Sequence, residues 1–156
     1  MFSEQDHIAM QRAMEEANAA ADRDEVPIGA VVTLAETGEI VAANGNRTLE
    51  LKDPSAHAEI LVIREACERQ GAQRIPECDL YVTLEPCTMC AGAISFARFR
   101  RVIIGAPDEK GGAVLSGVRF FEKKTCHHKP EVVSGLMAKE SADLLRKFFK
   151  AKRQKS

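Results

Sequence analysis

Two short blocks of the sequence hold residue types that can do chemistry: His57-Ala58-Glu59 and Pro86-Cys87-Thr88-Met89-Cys90. Each falls where a helix is predicted to begin. Residues three apart on a helix share a face, so Cys87 and Cys90 point the same way. The partial positive charge of a helix N-terminus favours thiolate over thiol. Together with the His57 imidazole, two thiolates supply three ligands to a tetrahedral zinc ion. Structural zinc sites are closed by four protein ligands, whereas catalytic ones leave the fourth position for water. The chain has no second Cys-x-x-Cys pair, and no other histidine lies at short spacing from His57, so a closed zinc finger is disfavoured. A thioredoxin-like redox pair would leave His57 and Glu59 unexplained. Glu59 stands two residues past His57, where it can lie beside a metal without ligating it. A carboxylate there can take a proton from water and hand it to a substrate. Read alone, Glu59 is an ordinary surface residue near a helix start; beside this ligand set it is the candidate catalytic group.

These residues need a frame. Gln5 to about Ala21 has apolar positions at Ile8, Ala9, Ala13, Ala17 and Ala20, the pattern of an amphipathic helix with a small-residue face suited to close packing on a sheet. Strands are predicted at Ile28–Leu34 and Ile40–Ala43, joined as a hairpin by Glu36-Thr37-Gly38-Glu39. Asp53-Pro54-Ser55 reads as a helix start, with Ile60, Leu61, Ile63, Ala66 and Cys67 facing a core and Gly71 as C-cap. A strand at Leu80–Leu84 leads into a helix opened by Pro86 and running to about Ala97, followed by a strand at Val102–Ile104. The Gly-rich stretch from Asp108 to Pro130 is predicted to be irregular, with one short helix around Val114–Phe121. A weak strand at Glu131–Val133 and a last helix from about Met137 to Lys152 complete the chain. Strands alternating with helices imply an α/β sandwich with helices on both faces of one sheet, built as one domain over residues 1–156.

Hydrophobic residues make up 45% of the chain and charged ones 29%, too apolar for a disordered protein. No apolar run is long enough to span a membrane. The first residues lack a basic stretch followed by an apolar block, so a secretory signal is not expected and a cytoplasmic location is. The odd count of five cysteines in such a chain argues against a disulfide framework; Cys67, Cys78 and Cys126 are read as structural. The net charge of −1 hides a segregation: residues 1–97 carry 7 Lys/Arg against 17 Asp/Glu, and residues 98–156 carry 15 against 6. Such a split predicts a basic face. The segment from Arg146 to Ser156 holds six Lys/Arg and no acid, next to Phe148 and Phe149. Aromatics interleaved with cations suit single-stranded nucleic acid, because bases stack and phosphates pair. A solubilising tail with both Phe packed inward is the plain alternative. His127 and His128 read as polar loop.

His-x-Glu followed by Pro-Cys-x-x-Cys is the signature of the cytidine deaminase superfamily, which this chain resembles. The likeness is closer to the bacterial tRNA-specific adenosine deaminases. It runs through Val26–Val31, Gly45-Asn46-Arg47, Asp53–Ile60, Leu80–Ile94, Gly105–Gly112 and Phe148-Phe149, and so covers nearly the whole chain. Pro107, where many members carry another residue, often Arg, and the 122–129 loop depart from the family pattern. The resemblance implies a cytidine-deaminase-like three-layer α/β/α sandwich around a five-stranded mixed sheet, a homodimer, and one zinc per subunit. It implies deamination of the wobble adenosine of a tRNA anticodon to inosine. It also places Asn46 at the target base, Asp108 and Lys110 in a loop lining the anticodon channel, and Phe148, Phe149 and Arg153 beside the RNA of the stem-loop. Without the resemblance, Asn46 is a turn residue in Asn-Gly-Asn. Two rivals remain: a deaminase of a free nucleobase or nucleoside such as guanine or cytosine, and a zinc-stabilised RNA-binding module without turnover. Glu59 and the open ligand position argue against the second.

Overall fold

The computed structural model describes residues 1–155; Ser156, the end of the acid-free segment, lies outside them. Among the described residues there are five strands and four α-helices: α1 (Glu4–Asp22), β1 (Gly29–Leu34), β2 (Ile40–Gly45), α2 (Ala58–Gln70), β3 (Cys78–Leu84), α3 (Thr88–Ala97), β4 (Arg101–Ala106), β5 (Glu131–Ser134) and α4 (Ala138–Lys155). The sheet order is β2-β1-β3-β4-β5. β1 runs antiparallel to β2 and β3, while β3, β4 and β5 are mutually parallel. α1 and α4 pack on one face, and α2 and α3 on the other. Helices cover both faces of one sheet, as the alternating pattern implied, and the sheet is mixed and five-stranded, as the family resemblance implied.

α1 is held at its start by a reciprocal pair: Ser3 Oγ accepts from the Asp6 amide, and Asp6 accepts from the Ser3 amide, both at 3.0 Å. Its buried face holds Ala9, Ala13, Ala17 and Ala20 as expected, joined by Met10 and Met14, whereas Ile8 faces outward. The alanines let the helix lie almost against the sheet backbone. A Cβ on Gly29 would stand 1.9 Å from the Ala13 carbonyl oxygen, so β1 must begin with glycine. On the other face, Val62, Ala66, Leu80, Val82, Ile94 and Phe99 form the centre of the larger core.

The structure corrects the sequence expectation in three regions. The second helix does not begin at Asp53. Asp53 Oδ1 instead accepts from the amide and hydroxyl of Ser55 at 2.9 and 2.7 Å, a tight turn that spends the capping group before the helix starts at Ala58. Its fully buried apolar residues are Ala58, Val62 and Ala66; Ile63 and Cys67 are partly covered and pack on the core as expected, whereas Ile60 and Leu61 are partly covered and lie outside that cluster. β2 continues through Gly45, so Asn44-Gly45 is strand and Asn46 is a buried residue just beyond it. No α-helix forms around Val114–Phe121; only a short 3-10 helix, Phe120–Glu122, is present. The amides of Val114, Leu115 and Ser116 are bound by a side chain from elsewhere, and Gly117 takes a positive φ of 58°, so a helical ladder cannot develop.

Candidate active site

The strand registers bring every block with chemistry to one end of the sheet. Gly29 pairs with Gly45, Ala30 with Val82, and Leu84 with Ala106. Asn46, Cys87 and the loop after Ala106 therefore leave the sheet at the same edge. His57 and Cys87 are the N-cap residues of α2 and α3, with extended backbones (φ −72° and −76°). Neither side chain caps its helix. Both are therefore available to each other: His57 Nδ1 lies 3.7 Å from Cys87 Sγ and 3.5 Å from Cys90 Sγ.

The donor chemistry and spacing suit a zinc ion. A tetrahedral centre with Zn–S of about 2.3 Å and Zn–N of about 2.0–2.1 Å has N···S edges of about 3.6 Å. The two measured edges match this, and the three donor atoms form the sole metal-capable His/Cys/Asp/Glu group found among the described residues. Hydrogen bonds from Cys90 and His57 bring the Cys87 thiol down to about 4. Its partner Cys90 is pushed up by that same hydrogen bond and by burial. His57 is raised, chiefly by its hydrogen bond to Cys87. Two thiols and an imidazole thus share protons that a cation would displace.

Glu59 sits in the first turn of α2 and is 4% exposed. Burial pushes its carboxyl up to about 7, against the pull of its own backbone amide and the His57 charge. A carboxyl poised there exchanges protons readily at neutral pH.

Asn46 is also buried, and its Oδ1 accepts from the Ala58 amide at 2.8 Å. With the oxygen engaged, its Nδ2 is the side that can donate to a ligand. Arg23 supports it from behind by donating to the Asn46 carbonyl at 3.1 Å. Asp108 turns back on its own loop, Oδ1 accepting from the amides of Lys110 and Gly111 at 3.2 and 3.1 Å. Lys110, Arg146, Phe149 and Arg153 gather around a hollow of about 470 Å³ floored by Leu84 and Pro107. Phe148 is elsewhere, under Lys152 at 5.6 Å from the ring centre, with Lys152 paired to Asp24 just beyond α1 at 2.6 Å. The two phenylalanines, consecutive on α4 and in edge contact at 5.4 Å between ring centres, thus face different neighbours. A larger hollow of about 730 Å³, lined by His7, Ile8, Arg12 and Met137 among others, contains none of the candidate residues.

Sequence reasoning misses three polar residues around this end of the sheet. Glu25 is buried and accepts from the amides of Leu49 and Glu50, fixing the turn before His57. Arg23 braces Asn46. Glu85 is buried between Leu84 and Pro86 and accepts from five donors of the 108–116 loop. An acid closing an apolar strand is the signal that could have found it.

A family model described as MafB19-like deaminase matches residues 4–153. The chain is 63% identical to a tRNA-specific adenosine deaminase of Agrobacterium fabrum, over 92% of this chain and 93% of that one. It belongs to the tRNA-specific adenosine deaminase family. A second member, from Rickettsia bellii, is 44% identical over 90% of this chain and 97% of its own length. A solved structure from a study of A-to-I editing by tRNA:A34 deaminases at the wobble position superposes with a TM-score of 0.86. It is 62% identical, with 88% of this chain and 99% of that chain covered. The tRNA-specific adenosine deaminase fold accounts for the five-stranded mixed sheet and its four helices.

Proposed function

We infer that this chain is a zinc-dependent hydrolytic deaminase that converts the wobble adenosine of a tRNA anticodon to inosine. The observation that carries the chemistry is the convergence of His57, Cys87 and Cys90 beside the buried Glu59. The substrate follows from relatives that bear the tRNA-specific name at up to 63% identity.

His57, Cys87 and Cys90 would hold the zinc, one per chain. Zinc bound there supplies Lewis acidity that makes water a nucleophile near neutral pH. Glu59 takes a proton from the attacking water and delivers it to N1 of adenine as the oxygen adds to C6. It then takes the second water-derived proton and passes it to the exocyclic amine, which leaves as ammonia. Water and adenosine are consumed, and inosine and ammonia are produced. Asn46 offers its Nδ2 to an acceptor on the base, its oxygen being occupied by Ala58. Asp108 and Lys110 lie on the loop that borders the channel, and Phe149 and Arg153 offer stacking and charge to the RNA.

A homodimer is supported by an apolar strip on the outer side of α3, where Met89 is 40% and Phe96 75% exposed. No described helix is long and apolar enough to cross a membrane; the cytoplasm, where tRNA is, is the location we propose. The test is ammonia release from an anticodon stem-loop against free adenine, guanine and cytosine. Turnover of the stem-loop alone is the expected result. Turnover of a free base alone would replace this reading with the nucleobase one.

A further inference from the structure

We propose that Glu85 is a positioning residue for the substrate loop, fixing the 108–116 segment against the start of α3; this rests on the deaminase reading above. Glu85 lies between the last residue of β3 and Pro86-Cys87, and is 3% exposed. Its two oxygens divide the loop between them. Oε1 accepts from the Asp108 amide at 2.9 Å and the Ser116 hydroxyl at 3.2 Å. Oε2 accepts from the amides of Val114, Leu115 and Ser116 at 3.1, 2.9 and 2.9 Å. Both ends of the loop are thereby gripped by a side chain that belongs to the chain segment carrying Cys87. Pro86 adds its carbonyl, which accepts from the Ala113 amide at 2.9 Å.

The loop is shaped to receive this carboxylate. A Cβ on Gly112 would stand 2.2 Å from Glu85 Oε2, so only glycine leaves room. Buried backbone amides must find acceptors, and in place of a helical ladder they find one carboxylate. Asp108 and Lys110 sit on the stretch so restrained, and Lys110 lines the hollow shared with Phe149 and Arg153. The hydrogen bonds of Glu85 go to the loop and to none of the metal ligands' donor atoms. It acts by setting where the loop stands, so its effect belongs to substrate binding rather than to bond breaking.

Glu85→Gln tests this, because an amide has one oxygen and can serve the Oε1 donors or the Oε2 donors, not both. Gly112→Ala perturbs the same contact from the loop side and serves if Glu85→Gln does not fold. Either variant is expected to retain one zinc per chain, to raise KM for an anticodon stem-loop about tenfold, and to leave kcat within about threefold. Amide hydrogen exchange at Val114, Leu115 and Ser116 is expected to speed up about tenfold in Glu85→Gln. Loss of zinc in step with activity, or a defect in kcat with KM unchanged, would each overturn the assignment. If the wild-type chain does not act on a stem-loop, the functional reading fails. The exchange measurement then still decides the clamp, which is refuted if those three amides exchange at the wild-type rate in Glu85→Gln.

Discussion

His57 and Cys87 hold the same place in two different helices: each is the N-cap, each has an extended backbone, and neither side chain caps its own helix. N-cap positions favour Ser, Thr, Asp and Asn, and a missing cap costs about 1 kcal/mol. Two helices forgo that stabilisation so that an imidazole and a thiol can meet at 3.7 Å. A bound cation would return it, because metal binding is coupled to folding.

The metal assignment has a direct test. Purified protein is expected to hold one zinc per chain by elemental analysis, and Cys87→Ala to lose both the zinc and the stability it confers. His57→Asn separates the two roles of this position. It should lose zinc, yet in chelator-treated protein it should be more stable than wild type by about 0.5–1 kcal/mol, because Asn can cap α2. Stoichiometric zinc in Cys87→Ala, or no gain in the zinc-free His57→Asn, would refute the corresponding part.

Glu59→Gln should keep its zinc and its fold while losing turnover by roughly 10²–10⁴-fold, the usual span of general acid–base contributions. Single-turnover kinetics on a stem-loop, with zinc measured on the same sample, checks this. Near-normal turnover would remove Glu59 from the mechanism.

The parts of this site visible in the sequence are those set by local spacing. Cys87 and Cys90 are brought together by one helical turn, and His57 and Glu59 by one helix start. Likewise the strands containing Leu80 and Val102 are legible because their apolar runs are short and bounded. What is not legible depends on contacts distant along the chain. Glu85 reaches loop donors 23 to 31 residues away, and those bonds stand in place of the helix expected at Val114–Phe121. Asp53 resembles a cap because local pattern cannot tell a turn that consumes its own carboxylate from one that leads into a helix. Periodicity points Ile8 inward because it gives a face but not its width; Met10 and Met14 occupy the core instead.

Acid stability should depend on Asp6, at the opposite end of the sheet from the site. It is buried, and burial alone would raise it. Hydrogen bonds from Tyr81 at 2.7 Å, the Ser3 amide at 3.0 Å and Arg101 at 2.9 Å outweigh that and bring it down to about 2 from 3.8. A carboxyl lowered on folding contributes stability that is complete above its unfolded value. That stability is lost as pH falls through the folded one, here between about pH 4 and pH 2, and amounts to ~2 kcal/mol. Urea unfolding of Asp6→Asn is expected to show lower stability than wild type at neutral pH and a flatter acid limb in that window. An unchanged acid limb would mean other carboxylates govern it.

The last helix gives a test of RNA binding that its sequence alone could not frame, because its cations fall on two sides. Lys152 pairs with Asp24 and lies over Phe148, so it joins α4 to the end of α1. Arg146 and Arg153 border the hollow with Phe149 and Lys110, toward the edge of the sheet where the zinc ligands emerge. Arg146 is also paired with Asp143 on its own helix, an exposed pair worth little. If the hollow receives RNA, Arg146→Ala and Arg153→Ala should weaken stem-loop binding. The slope of log affinity against log salt should shrink by roughly 0.7 for each phosphate that is no longer neutralised. Lys152→Ala should leave that slope unchanged and lower thermal stability slightly, as an exposed ion pair contributes about 0–1 kcal/mol. Zinc content should be unaltered in all three. Titrations of a stem-loop at several salt concentrations separate the two sides of the helix. Equal slopes for wild type, Arg146→Ala and Arg153→Ala would leave the hollow without a role in RNA binding. A reduced slope for Lys152→Ala would move the RNA to the α1 side.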